Sequence, residues 1–133
     1  MTLSIDEVGD ILDRVCEEFP EALFQELNGG VLLLEEALPD PEAGEDVYIM
    51  GEYCWDEMGR YINIYYGSFA ALLFDEPRRV WEDELRTTLR HELTHHVEGL
   101  AGERSLEYKD SAQLDALRRG EDWPGDQEYM HYH

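Results

Sequence analysis

His91, Glu92 and His95 lie within five consecutive residues, His91-Glu92-Leu93-Thr94-His95, and their types and spacing suit one kind of chemistry. On an α-helix of about 3.6 residues per turn, His91 and His95 lie about 40° apart on one face. Two imidazoles stacked in that way can hold one metal ion. Glu92 falls roughly 100° round from His91. That sets its carboxylate beside the ion rather than on it, where it suits a general base acting on metal-activated water.

A catalytic zinc site has, as a rule, about three protein ligands and one open position. His91 and His95 supply two, and the third must come from elsewhere. Glu98 lies on the same helix about 20° from the direction of His91, but its Cα is roughly 7 Å along the axis from a metal held between the histidines. That distance favours a supporting role, as a partner for a histidine N–H. Glu103, Glu107 and Asp110 follow Gly99 and Gly102. A chain that reverses at those glycines can bring any of the three over the metal.

The helix that must position these groups starts at Arg78 or Arg79. Trp81, Leu85, Leu89, Leu93 and Val97 recur every four residues and form a stripe that faces a core. His91 and His95 lie off that stripe, which predicts a packed side and a metal-competent side. Gly99 and Gly102 are the expected stop signals. Arg86 and Arg90 can pair with acids along the helix. His96 is expected to pack or to face solvent.

Upstream, Ser4 and Glu7 have the spacing of a capping box, and Val8, Ile11, Leu12, Val15 and Phe19 mark a helix over Ile5 to Phe19. Cys16 falls on its apolar face. A short helix, Glu21 to Leu27, is expected to stop at Asn28-Gly29-Gly30. Val31 to Leu34 and Val47 to Tyr53 predict strands, and Pro39 to Asp46 a surface loop. A turn over Asp56 to Arg60 leads to a third strand, Tyr61 to Tyr66, so the pair suggests a hairpin. Tyr65 and Tyr66 are candidate phenol donors to an oxyanion. Gly67-Ser68 is expected to break the strand before a short helix, Phe69 to Phe74. Ser105 to Arg119 is acidic and amphipathic, and Glu121 to His133 has little periodicity.

The bulk numbers bound the possibilities. The chain has 133 residues, which suits one domain, and 43% of them are hydrophobic, enough for a core. Ten Lys and Arg against 32 Asp and Glu leave a formal charge of −22 at pH 7. Such a chain repels nucleic acid and anionic membrane surfaces and attracts cations. The first residues lack the basic start and apolar core of a signal peptide, and no run approaches the roughly 18 apolar residues of a membrane span. Two cysteines do not make a disulfide framework. The expected compartment is the cytoplasm.

The run His91-Glu92-Leu93-Thr94-His95-His96, a Gly-containing turn, an acid and Leu106-Glu107 together resemble the minimal zincin-like metallopeptidases of bacteria. Asn28-Gly29-Gly30-Val31-Leu32-Leu33-Leu34 and Ile64-Tyr65-Tyr66-Gly67-Ser68-Phe69 extend the resemblance over most of the chain. The resemblance implies a compact α+β zincin-like domain, a small mixed sheet packed on the H-E-x-x-H helix; the domain is expected over residues 1–120, with residues 121–133, which lack periodicity, as an extended or partly disordered tail. It implies a Zn2+-dependent peptidase acting on peptide or protein substrates, Glu92 being the general base. It also implies an edge strand that holds an extended peptide by β-addition, for which Tyr61 to Tyr66 is the candidate. The family pattern H-E-x-x-H-x-x-G-x-x-D takes its third ligand from the final Asp. Here Glu98 stands at the Gly and Ala101 at the Asp. A turn about two residues longer would put Glu103 in the acid's place, with Asp110 next and Glu98 third. The alternative is an acidic zincin-fold binding module that has lost the activity.

Overall fold

The structure, a computed structural model, describes residues 2–44, 46–103 and 130–132. Glu107, Asp110 and the amphipathic stretch expected over 105–119 lie outside the described residues. The class is α+β, as expected from the sequence. The first helix, α1 (Ile5–Glu18), starts at the Ser4 cap, whose hydroxyl accepts from Glu7 N–H while the Glu7 carboxylate accepts from Ser4 N–H. A 3₁₀ turn over Glu21–Phe24 follows. It is shorter than the expected helix because Glu26 takes a left-handed φ of 62°, which no L-residue helix accommodates.

Among the described residues, five strands form one sheet: β1 (Gly30–Leu34), β2 (Leu38–Pro39), β3 (Tyr48–Asp56), β4 (Gly59–Tyr65) and β5 (Met130–Tyr132). β3 and β4 form the expected hairpin, antiparallel from Gly51↔Ile64 to Asp56↔Gly59, so only Glu57 and Met58 make the turn. The Asp56 carboxylate accepts from Met58 N–H at 2.8 Å and braces that turn. β1 runs parallel to β4, from Gly30↔Tyr61 to Leu34↔Tyr65. β2 pairs with Tyr48 and Ile49 of β3, although the composition around Pro39 predicts a loop. β5, from the segment expected to be an extended or partly disordered tail, pairs in parallel with Tyr48, Ile49 and Gly51.

Two helices complete the described fold: α2 (Tyr66–Leu73) and α3 (Arg78–Glu103). The strand ends at Tyr65, close to the expected break, but α2 starts three residues before the expected Phe69, so that Gly67 lies inside the helix. A Cβ there would sit 2.4 Å from Ala37 N, and Gly67 N–H donates to the Glu36 carbonyl at 3.1 Å. The glycine is thus a contact requirement, since only a residue without a side chain admits the β1–β2 connection so close. α3 also runs through Gly99 and Gly102, both expected to stop it. Its stripe of Trp81, Leu85, Leu89, Leu93 and Val97 is buried as the four-residue repeat predicts. It packs with Val8, Ile11, Leu12 and Val15 of α1 and Ile62 and Ile64 of β4. Among the described residues, no helix is long and apolar enough to cross a membrane.

Candidate metal centre

α3 and β3 run in step across their interface. One helical turn of four residues advances about 6 Å, and two strand residues advance about 6.6 Å. Thr88 and Glu92 therefore lie over Gly51, and His96 lies over Tyr53, two strand residues on. A Cβ on Gly51 would stand 2.7 Å from Thr88 Cγ2 and 3.3 Å from Glu92 Cγ. The bare backbone of Gly51 is what lets Glu92 be fully buried at this point.

His91 and His95 stand together on the next part of the helix surface. Their Nε2 atoms are 3.1 Å apart, and their rings meet edge to face with centroids 4.7 Å apart. Both side chains are half-buried. Two Nε2 atoms bound to one tetrahedral zinc at about 2.0–2.1 Å would be about 3.3 Å apart. The donor pair therefore fits the ion with little rearrangement. Measured round the helix from Glu92, His95 and His91 lie roughly 60° and 100° to one side, whereas Leu89 and Leu93 lie roughly 60° and 100° to the other. The core stripe packs toward β4 and α1. The histidine pair therefore lies on the flank of β3 away from β4.

That flank is the sheet edge that matters. The strand expected to hold an extended peptide, Tyr61 to Tyr66, is mostly β4, which lies between β1 and β3 with both edges paired. β-addition to it is excluded. β3 has the accessible edge instead. At Gly51 it carries Ile64 on one side and Tyr132 on the other. Among the described residues, residues 52–56 of β3 have β4 on one side and no strand on the other.

His96, for which the sequence allows packing or exposure, is fully buried. Its Nε2–H donates to the Gln25 carbonyl at 2.7 Å, and its Nδ1 accepts from the Tyr53 hydroxyl at 2.9 Å. A carbonyl only accepts, so the neutral Nε2–H tautomer is the one held. Burial keeps the imidazole below its ordinary pKa, and the nearby Arg60 cation acts in the same direction. His96 is thus a brace between α3, β3 and the 3₁₀ turn. Tyr53 is not singled out by the sequence; its only signal is its place two residues after Gly51.

The other candidates are placed elsewhere. Tyr65 OH donates to Glu52 Oε1 at 3.1 Å, and its strand neighbour Ile64 faces α3, so Tyr65 points to the opposite face. Tyr66 OH donates to the Leu3 carbonyl at 2.6 Å and ties down the chain start. Neither tyrosine can serve an oxyanion at the histidine pair. The Cys54 thiol is pushed up to about 11 by burial and by the Glu52 carboxylate, and strand alternation sets it on the face of β3 opposite Gly51 and Tyr53. Burial raises Cys16 likewise, to about 11. Arg86 pairs with Asp83 on its own helix but also spans to Glu18 of α1.

The reversal expected at Gly99 and Gly102, on which the choice of Glu103 rests, does not occur. Glu103 is the last described residue of α3. A continuous helix sets its Cα about 15 Å along the axis from the midpoint of the pair. Glu103 reaches the pair only if the turn from Gly99 unwinds, which the two glycines ease by about 1 kcal/mol each relative to alanine. Glu98 is exposed one turn beyond His95. Among the described residues, no group of three His, Cys, Asp or Glu side chains is gathered for a metal.

No protein-family model and no curated protein matches the chain. Among solved structures, a conserved hypothetical protein from Thermo thermophilus is similar, with a TM-score of 0.65 and 34% sequence identity. The match covers 75% of this chain and 99% of that one.

Proposed function

This chain belongs to the same family as the conserved hypothetical protein from Thermo thermophilus, and we propose that it is a zincin-like, zinc-dependent peptidase. The observation that carries the reading is the 3.1 Å approach of His91 Nε2 to His95 Nε2, a separation suited to sharing one ion. His91 and His95 would hold the zinc, with an acid from beyond Gly99, Glu103 or Asp110, as third ligand. When bound, zinc supplies Lewis acidity toward a carbonyl and brings the pKa of water near 7. Glu92, adjacent to the pair and off its direction, takes the proton of the attacking water on a carboxylate oxygen and returns it to the leaving amine. The edge of β3 away from β4 takes over the role expected of the third strand and aligns an extended peptide along the histidine flank.

The test has two parts. Purified protein should bind about one zinc per chain, and His91→Ala with His95→Ala should abolish that binding. Glu92→Gln should leave zinc affinity within a small factor and lower hydrolysis of a mixed peptide library by about 10²–10⁴. Zinc content unchanged in the double variant would sink the site, and full activity in the Gln variant would remove Glu92 as the base. A zinc-loaded wild type that cleaves nothing in the library would favour the binding module.

A further inference from the structure

β5 lies on the same edge of β3 to which the proposed function assigns the peptide. The geometry rests on opposed pairings. A strand has two edges, and at Gly51 one is taken by Ile64 of β4, so Tyr132 must occupy the other. The same argument holds at Tyr48 and Ile49, where β2 pairs on one side and Met130 and His131 on the other. β2 therefore follows β4 along one edge, and β5 has the opposite edge. That is the flank on which His91 and His95 stand. β5 also touches α3. Its ladder reaches Gly51, the residue beneath Glu92.

From this placement we infer that β5 is a built-in competitor: the chain's own segment Met130–Tyr132 must leave β3 before an extended peptide can pair beside Glu92. The inference rests on the proposed peptide edge. Backbone groups along a strand edge accept one partner strand at a time, so β5 and a substrate exclude one another at residues 48–51. The ladder is suited to displacement. It is three residues long, it is parallel, and its register shifts between Ile49 and Gly51. Parallel pairing is slightly weaker per residue than antiparallel pairing, so an antiparallel peptide running on along residues 52–56 gains bonds that β5 does not make.

The experiment compares the full chain with one ending at residue 129, using amide hydrogen exchange and a synthetic peptide of residues 128–133 as probe. In the shortened chain the amides of residues 48–51 that face β5 should exchange at least tenfold faster, with β4 unchanged. The peptide should bind the shortened chain at least tenfold more tightly than the full chain and restore the protection. Unchanged exchange at residues 48–51, or equal binding to both chains, overturns the inference. If shortening also loosens β4, His131→Pro and Tyr132→Pro in the full chain replace it, since between them they remove a ladder N–H. Loss of protection confined to residues 48–51 then supports the competitor, and its retention in both overturns it. Hydrolysis of the peptide library is read on the same samples. Its absence from both chains counts against the peptidase, whereas exchange and binding alone score the competition.

Discussion

The side chain that Gly51 lacks is what gives Glu92 its place. A Cβ at Gly51 would press to 2.7 Å on Thr88 Cγ2 and 3.3 Å on Glu92 Cγ, and overfilling a packed site costs about 1–3 kcal/mol. Gly51→Ala should lower the free energy of urea unfolding by that amount. Thr88→Ser removes the offending Cγ2 but keeps the hydroxyl that donates to the Glu84 carbonyl at 2.7 Å. In the Gly51→Ala background it should restore part of the loss, so the two changes should couple favourably in a double-mutant cycle. Simple additivity would show that the clash is relieved elsewhere. The third ligand of the proposed zinc site is tested at the same scale. Glu103→Ala and Asp110→Ala, each titrated with zinc, should differ, one losing affinity at least tenfold and the other little. Equal affinity in both variants and the wild type would rule out Glu103 and Asp110 as the third ligand.

Between elements, α1 is clasped to α3 by an ionic fork. Arg86 Nε donates to Glu18 Oε1 at 2.6 Å and Nη2 to Oε2 at 2.9 Å, while Nη1 reaches Asp83. The guanidinium hydrogen bond holds the Glu18 carboxyl below its ordinary value of 4.5. As pH falls, the unfolded chain therefore takes up the proton first. The contribution of the fork is whole above the ordinary carboxylate range and is lost as pH falls through the folded value. Both partners are partly exposed, so it amounts to about 0.5 kcal/mol. Glu18→Gln should be less stable than wild type by about that much near neutral pH. The two stability curves should merge in acid. A difference that persists in acid would assign the effect to packing instead.

At the scale of the whole molecule the charge dominates. A formal −22 on 133 residues repels itself in the compact state. Salt shortens the range of that repulsion from about 30 Å at 0.01 M to about 3 Å at 1 M. The midpoint of urea unfolding should therefore rise as NaCl is added over this range. The Glu18–Arg86 fork weakens under the same conditions, so a falling midpoint would mean that paired charges outweigh the excess. The same excess favours cations at the histidine flank, where the proposed function places one.

The features legible in the sequence are those that covalent geometry repeats locally. The capping box at Ser4 and Glu7, the stripe from Trp81 to Val97 and the shared face of His91 and His95 follow from helix pitch. The alternation that announces the β3–β4 hairpin follows from the pleat. Which strand lies beside which is not a local property. β4 reads as well for an edge as for a centre, and only the pairing of β1 on its far side makes it central. The burial of His96 is equally hidden, because Gln25 and Tyr53 come from distant parts of the chain. Gly67 and Gly51 carry the same letter as a stop signal, yet each is required by a backbone or side chain that another element brings within van der Waals reach. Sequence alone determined the motif helix and its two faces. Tertiary structure decided that β3 runs over Glu92 and that β5 holds part of the edge beside the histidines, at residues 48–51, because both depend on how distant segments bury one another.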